Sequence, residues 1–138
     1  MKTLGLDLGE KTLGIAISDS LGMIANGVET YQFKTAHYKH ALEYIVELLK
    51  KETISTIVLG LPKNMDNTEG EKAIISRRFA KKLEHATGAK IILWDERLTT
   101  QQADRILIKG GVRRENRKNH IDKIAATIIL QSYLDNKG

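Results

Sequence analysis

The sequence predicts an α/β fold in which a mixed five-stranded sheet is covered by helices on its faces. Its apolar segments follow the order strand, strand, strand, helix, strand, helix, strand, helix, helix. The first three strands are close enough for hairpins, whereas the later strands are joined by helices and should form parallel crossovers. The predicted strand order puts the first strand in the middle. The carboxyl ends of the parallel strands then meet at one edge, where open α/β sheets bind ligands.

The first strand, 2–8, turns its leucines to one face and Thr3, Gly5 and Asp7 to the other. The second strand, 13–18, alternates in the same way, with glycine, alanine and serine opposite its apolar side chains. If these two strands pair as a hairpin, small residues surround Asp7. That surface has room for a metal ion and a substrate backbone, or for a closely packed helix, and both are possible in different parts of the face.

The later elements follow from helical periodicity, apolar runs and the residues that interrupt them. A third strand is predicted at 24–31 and a helix at 38–51. Pro62 ends a buried strand at 54–59, and Gly88 ends a helix at 71–87. The remaining predictions are a buried strand at 90–94, a helix at 99–109 that two glycines break, a basic loop, and a last helix at 119–135.

The chain has 138 residues, which fits one domain spanning residues 1–138, and it contains no cysteine. Disulfides, thiolate zinc sites and cysteine nucleophiles are therefore excluded. The N-terminus does not resemble a signal peptide, and no apolar run approaches the ~18 residues of a membrane span. We expect a cytoplasmic protein. The net charge of +5 suits a polyphosphate partner.

Three carboxylates adjoin or interrupt apolar elements: Asp7, Glu96 and Asp122. A buried carboxylate is costly unless a cation or hydrogen bonds meet it, so together they indicate a site for a hard divalent cation. Each has a structural alternative. Asp7 could accept backbone hydrogen bonds, Glu96 could form a surface ion pair or yield its place to Asp95, and Asp122 could simply favour a helix N-terminus.

Basic residues form two clusters. The first consists of Arg113, Arg114, Arg117, Lys118 and Lys123, and its first four members are called here the basic segment. The second consists of Lys72, Arg77, Arg78, Lys81 and Lys82. We interpret the basic segment as the main contact for a polyphosphate partner, and the second cluster as a solvated helix face and the next candidate.

Five motifs in order resemble the YqgF family of the ribonuclease H-like superfamily, whose relatives include RuvC-type Holliday junction resolvases. They are GLDLG at 5–9, KTLGIA at 11–16, GLPKNM at 60–65, WDERLT at 94–99 and IDKIAA at 121–126. The resemblance implies a metal-dependent endonuclease fold, with catalytic and metal-binding carboxylates at Asp7, Glu96 and Asp122. Two Mg²⁺ or Mn²⁺ ions, bound with substrate, are the expected cofactor.

The resemblance leaves the substrate open. Members are described either as resolvase-like or as nucleases that mature pre-16S ribosomal RNA, and we favour the RNA. The alternatives are a DNA junction resolvase and a non-catalytic nucleic-acid-binding module. Lys11 and Arg97 join the basic segment as expected substrate contacts, and the protein is expected as a monomer or homodimer. Unlike the resolvases, the chain has no acid at the end of the 54–59 strand and has Asn119, not an acid, before Asp122.

Overall fold

The computed structural model describes residues 1–64, 66–95 and 114–136, with the side chains of the last helix described from Lys123 onward. The strands are β1 (Lys2–Leu8), β2 (Thr12–Ser18), β3 (Ala25–Gln32), β4 (Ile54–Leu61) and β5 (Lys90–Asp95). The helices are α1 (Tyr38–Lys51), α2 (Glu71–Thr87) and α3 (Arg114–Asn136).

The five strands form one sheet in the order β3-β2-β1-β4-β5, so β1 is central as predicted. β2 is antiparallel to both β1 and β3, whereas β4 is parallel to β1 and β5 is parallel to β4. The predicted α/β class and mixed sheet are confirmed. The carboxyl ends of β1, β3, β4 and β5 therefore lie at one edge, called here the carboxyl edge.

Each face of the sheet has its own apolar core. On one face, the leucines and isoleucines of β1, β2 and β4 pack with α1 and α2, around fully buried residues such as Leu6 and Ile45. On the other face, Ala16 and Val58 pack against Ala126, Ile129 and Leu130 of α3. The sheet is therefore a middle layer between two helical layers, because alternation sends adjacent residues of a strand to opposite cores.

The contacts of α3 give its direction across the sheet. The side chain of Gln131 accepts a hydrogen bond from the backbone N–H of Ala25 at 2.9 Å, and Gly27, further along β3, faces Lys123 and Thr127. From Ala25 to Gly27 the residue numbers of β3 rise, whereas the numbers of the α3 residues that they contact fall. α3 is therefore antiparallel to β3, and also to β1, which runs in the same direction as β3. The N-terminal half of α3 points toward the carboxyl edge.

The structure corrects two sequence predictions. The last helix begins at Arg114, not 119, so Arg114, Arg117 and Lys118 lie on a helix and not in a loop. This stretch lacks glycine and proline and is rich in strong helix formers, but its polar character hides the helix from apolar periodicity. β5 is half-buried with exposed ends and not fully buried, because it is an edge strand of the sheet.

The other predicted bounds agree closely. α1 and α2 have the predicted limits, and Gly88 ends α2 in the left-handed conformation, with φ of 71°. The predicted helix at 99–109 lies outside the described residues. No helix in the described part of the chain is long and apolar enough to cross a membrane.

Candidate functional site

Asp7 lies one residue before the end of the central strand and is half-buried. Strand alternation puts it on the same face as Gly5, which α3 covers. Its partner in register on β2 is Gly14, which has no side chain to fill the space beside the carboxylate. The small-residue surface predicted around Asp7 is therefore present.

One of the two uses predicted for that surface, close packing of a helix, can be checked at Gly5. At Gly5 the helix packs so closely that an added Cβ would lie 2.6 Å from the Cβ of Leu130 and 3.0 Å from the carbonyl oxygen of Ala126. Asp7 is two residues closer to the carboxyl edge. The predicted close packing of a helix is thus confirmed at Gly5.

The turn between β1 and β2 borders Asp7 and carries Lys11. Its backbone is fixed, since Gly9 N–H donates to the carbonyl of Thr12 at 2.7 Å and Phe33 N–H donates to the carbonyl of Lys11 at 3.0 Å. The Lys11 side chain is exposed at the carboxyl edge. It forms no salt bridge with any residue that the structure describes.

The other candidate acids are only partly covered. Asp122 belongs to the N-terminal half of α3, but its side chain is outside what is described. Glu96 lies outside the described residues, directly after Asp95, which ends β5 opposite Leu61. Among the described residues, no three Asp, Glu, His or Cys side chains are close enough to hold a metal ion. Arg97 and Arg113 also lie outside the described residues.

A cleft of about 440 Å³ opens at the carboxyl edge, on the α1–α2 side of the sheet. We call it the edge cleft. Asp7, Leu8 and Gly9 line it from the end of β1, Pro62 lines it after β4, and the first turns of α1 and α2 close it. Sequence reasoning missed this cleft. The order of the elements could have predicted it. α1 follows β3 and α2 follows β4, and both strands end at the carboxyl edge, so both helices must begin there.

Polar groups in the edge cleft interact electrostatically. Burial and the negative charges of Glu10 and Glu71 raise the pKa of the Tyr38 hydroxyl above its usual value. Ser76 on α2 also lines the cleft and is only 2% exposed. Its hydroxyl forms no hydrogen bond with another described residue. The polar residues that line the cleft are Asp7, Glu10, Tyr38, Glu71, Lys72 and Ser76.

Comparison with known proteins places this geometry in a family. The family model described as "RuvX: Holliday junction resolvase" matches residues 1–136. The chain belongs to the RuvX family. A protein of Geobacillus sp. (strain WCH70) is 50% identical over 137 residues, with 99% of each chain covered, and one of Bacillus subtilis (strain 168) is 50% identical over 135 residues, with 98% of each covered. Both carry the name "Putative pre-16S rRNA nuclease".

Solved structures confirm the ribonuclease H-like fold. Thermus thermophilus RuvC in complex with a Holliday junction substrate has a TM-score of 0.59 at 15% identity, covering 100% of this chain and 96% of that one. The Fowlpox virus resolvase in complex with Holliday junction DNA has a TM-score of 0.58 at 17% identity, with 99% of both chains covered. The family model and the two bacterial relatives confirm the predicted YqgF family, which the model describes as RuvX, and it is a family of nucleases.

Proposed function

We propose that this RuvX-family chain is a single-domain, metal-dependent endonuclease that hydrolyses phosphodiester bonds in pre-16S ribosomal RNA. The observation that carries the proposal is the position of Asp7, a half-buried carboxylate on the central strand, next to the carboxyl edge and on the face that α3 covers. Relatives at 50% identity carry the name of a nuclease for that RNA. The substrate would place the protein in the cytoplasm.

The direction of α3 supports a role for Asp122 beside Asp7. From Gly5 to Asp7 the strand advances by about 7 Å toward the carboxyl edge. From Ala126 back to Asp122 the helix advances by about 6 Å in the same direction, because the two elements are antiparallel. Positions 122, 126 and 130 are four residues apart on one helical face, and Ala126 and Leu130 of that face meet Gly5.

The position of Glu96 in the sequence, directly after β5, supports it as the third carboxylate of the site. Asp95 ends β5 at the carboxyl edge, and Glu96 is the next residue in the sequence. Successive strand residues point to opposite faces, so only one of this pair should join the site. We propose Glu96, the acid that matches the family motif.

The proposed donor set consists of carboxylate oxygens, which suit Mg²⁺ or Mn²⁺. Gly14, the partner of Asp7 in register, has no side chain that would occupy the position of an ion beside the carboxylate. When bound, the cations would activate water and stabilise the leaving oxygen. Asp7, Glu96 and Asp122 would hold them, while Lys11, Arg97 and the basic segment would hold the phosphates on either side of the scissile bond.

The balanced reaction needs only water as co-reactant. A water oxygen forms a bond to phosphorus, the bond from phosphorus to one ester oxygen breaks, and the leaving oxygen takes up a proton. The half-buried setting of Asp7 strengthens its attraction for cations relative to bulk water. The exposed Lys11 would neutralise phosphate charge from a turn whose backbone is hydrogen-bonded to Thr12 and Phe33.

The test is cleavage of a labelled pre-16S RNA fragment by wild-type protein and by Asp7→Asn, with Mn²⁺, with Mg²⁺ and with a chelator. The substitution is nearly isosteric, so the fold should persist, as circular dichroism can check. We expect cleavage that needs the metal and is abolished by Asp7→Asn. Wild-type activity in this variant would remove Asp7 from the site.

The family description supports a second candidate, a DNA junction resolvase. Four-way DNA in the same assay distinguishes the two. Resolvases cut with paired active sites, so this candidate also requires a dimer, which sedimentation of the intact protein can detect. Cleavage of four-way DNA by a dimer, without cleavage of RNA, would replace the proposed substrate.

A further inference from the structure

A groove between α1 and α2 combines positive charge with an apolar floor. It has a volume of about 310 Å³, and it is called here the helix groove. Three cationic side chains line it, one from α1 and two from α2: Lys39, Arg78 and Lys82. The other lining residues are apolar or aromatic: Tyr38, Leu42, Ile75 and Phe79. No carboxylate is among its described lining residues, so the groove suits a ligand that has both negative charges and flat apolar groups.

The cationic side chains of the helix groove differ from the neighbouring Arg77 on α2 in whether they are paired with a carboxylate. Arg77 donates two hydrogen bonds to the carboxylate of Glu69, at 2.6 and 2.7 Å, and is therefore already neutralised. Lys39, Arg78 and Lys82 are exposed and form no salt bridge with any other residue that the structure describes. The second basic cluster of the sequence is thus not uniform, because only part of it faces the groove.

The helix groove continues into the edge cleft. Tyr38 and Ile75 line both, and Lys72 lies at the cleft end. Along α2, Lys72 and Lys82 are ten positions apart, which corresponds to about 15 Å of helix. This length corresponds to roughly four nucleotides at a spacing of ~3.4 Å along a stacked strand.

We propose that the helix groove binds a single-stranded RNA segment adjacent to the cleavage point, and that this segment reaches the site through the edge cleft. The inference rests on the proposed function. Proteins that bind single strands combine a positive groove for the backbone with apolar or aromatic surfaces for the bases. In a duplex the faces of the bases are stacked on one another. The phosphates of a duplex could therefore contact the cationic side chains, but its bases could not contact the apolar residues of the groove.

The experiment compares RNA hairpins that carry no tail, a 5′ tail or a 3′ tail of six nucleotides. Binding is measured by fluorescence anisotropy, without divalent cations, over a range of salt concentrations. The variant Arg78→Ala/Lys82→Ala is compared with the control Arg77→Ala/Lys81→Ala. Both remove two positive charges from exposed positions of α2, and alanine favours helix, so both should fold.

We expect one tail to increase wild-type affinity. Arg78→Ala/Lys82→Ala should lose that increase and reduce the salt slope by about 1.4, that is ~0.7 for each lost single-strand phosphate contact. The control should retain the tail effect. Equal losses in both variants, or no tail effect in the wild type, would overturn the groove assignment.

The outcome also separates this inference from the proposed function. If the wild-type protein cleaves the hairpin without a tail and the tail adds nothing, the endonuclease stands and the groove assignment fails. If the protein binds tailed RNA as expected but Asp7→Asn cleaves like the wild type, the groove assignment stands and the proposed site fails.

Discussion

Alanine at Gly5 should displace α3 and so impair the candidate site without touching any of its residues. The new Cβ would lie 2.6 Å from Leu130 Cβ, whereas carbon atoms in contact are separated by about 3.5–4.0 Å. The helix must therefore move by about 1 Å. Overpacking of this kind costs about 1–3 kcal/mol of unfolding free energy.

The expected change in melting temperature follows from chain length. An unfolding entropy of about 2.1 cal/mol/K per residue gives roughly 0.3 kcal/mol/K for 138 residues, so Tm should fall by about 3–10 °C. A shift of 1 Å in α3, which carries Asp122, should also lower cleavage by about 100-fold, measured well below Tm. Calorimetry and the RNA cleavage assay provide the two measurements.

Two further variants isolate the cause. Gly70→Ala is the matched control, because its Cβ would lie 3.6 Å from the Asn64 side chain, an ordinary contact. In contrast, Gly5→Ala/Leu130→Ala should not recover activity, since the clash is with a Cβ atom that alanine retains. Recovery in that double variant, or wild-type Tm and activity in Gly5→Ala, would refute the argument.

Two other predictions concern charge. Tyr44 donates a hydrogen bond to the carboxylate of Glu29, which together with burial raises the Tyr44 pKa from 10.0 to about 12. The folded-state pKa is the higher one, so the stability difference between wild type and Tyr44→Phe should be constant below pH 10 and disappear as pH rises toward 12, as urea unfolding can measure. Alanine at all four residues of the basic segment should reduce the salt slope of RNA binding by about 0.7–0.9 for each lost phosphate contact; an unchanged slope would show that these side chains are solvated.

The fold was predictable wherever one periodicity dominated the sequence. Leu4 and Leu6 alternate with Thr3 and Gly5, and the structure sends the leucines to one core and turns Gly5 toward α3. Gly88 marks the end of α2 because its φ of 71° disfavours residues that have a Cβ. Local chemistry determines such positions, so a single sequence is sufficient to identify them.

The start of α3 and the edge cleft could not be predicted from apolar periodicity. Charged residues give no apolar stripe, so Arg114 to Lys118 could not be recognised as helix from periodicity. Tyr38 and Ser76 are 38 positions apart, and only the packing of α1 beside α2 brings them to one cleft. The carboxylates lie between these cases: the motifs identify them, whereas their convergence remains a prediction.

That convergence has a direct test in double-mutant cycles among Asp7→Asn, Glu96→Gln and Asp122→Asn. Residues that act as one unit are strongly non-additive, because the first substitution already removes the function that the others serve. We therefore expect each single variant to abolish metal-dependent cleavage, and each double variant to bind Mn²⁺ no more weakly than its weaker parent. Independent sites would instead give additive losses in Mn²⁺ binding. Additivity for any one carboxylate would place it outside the site, even if its single variant were inactive.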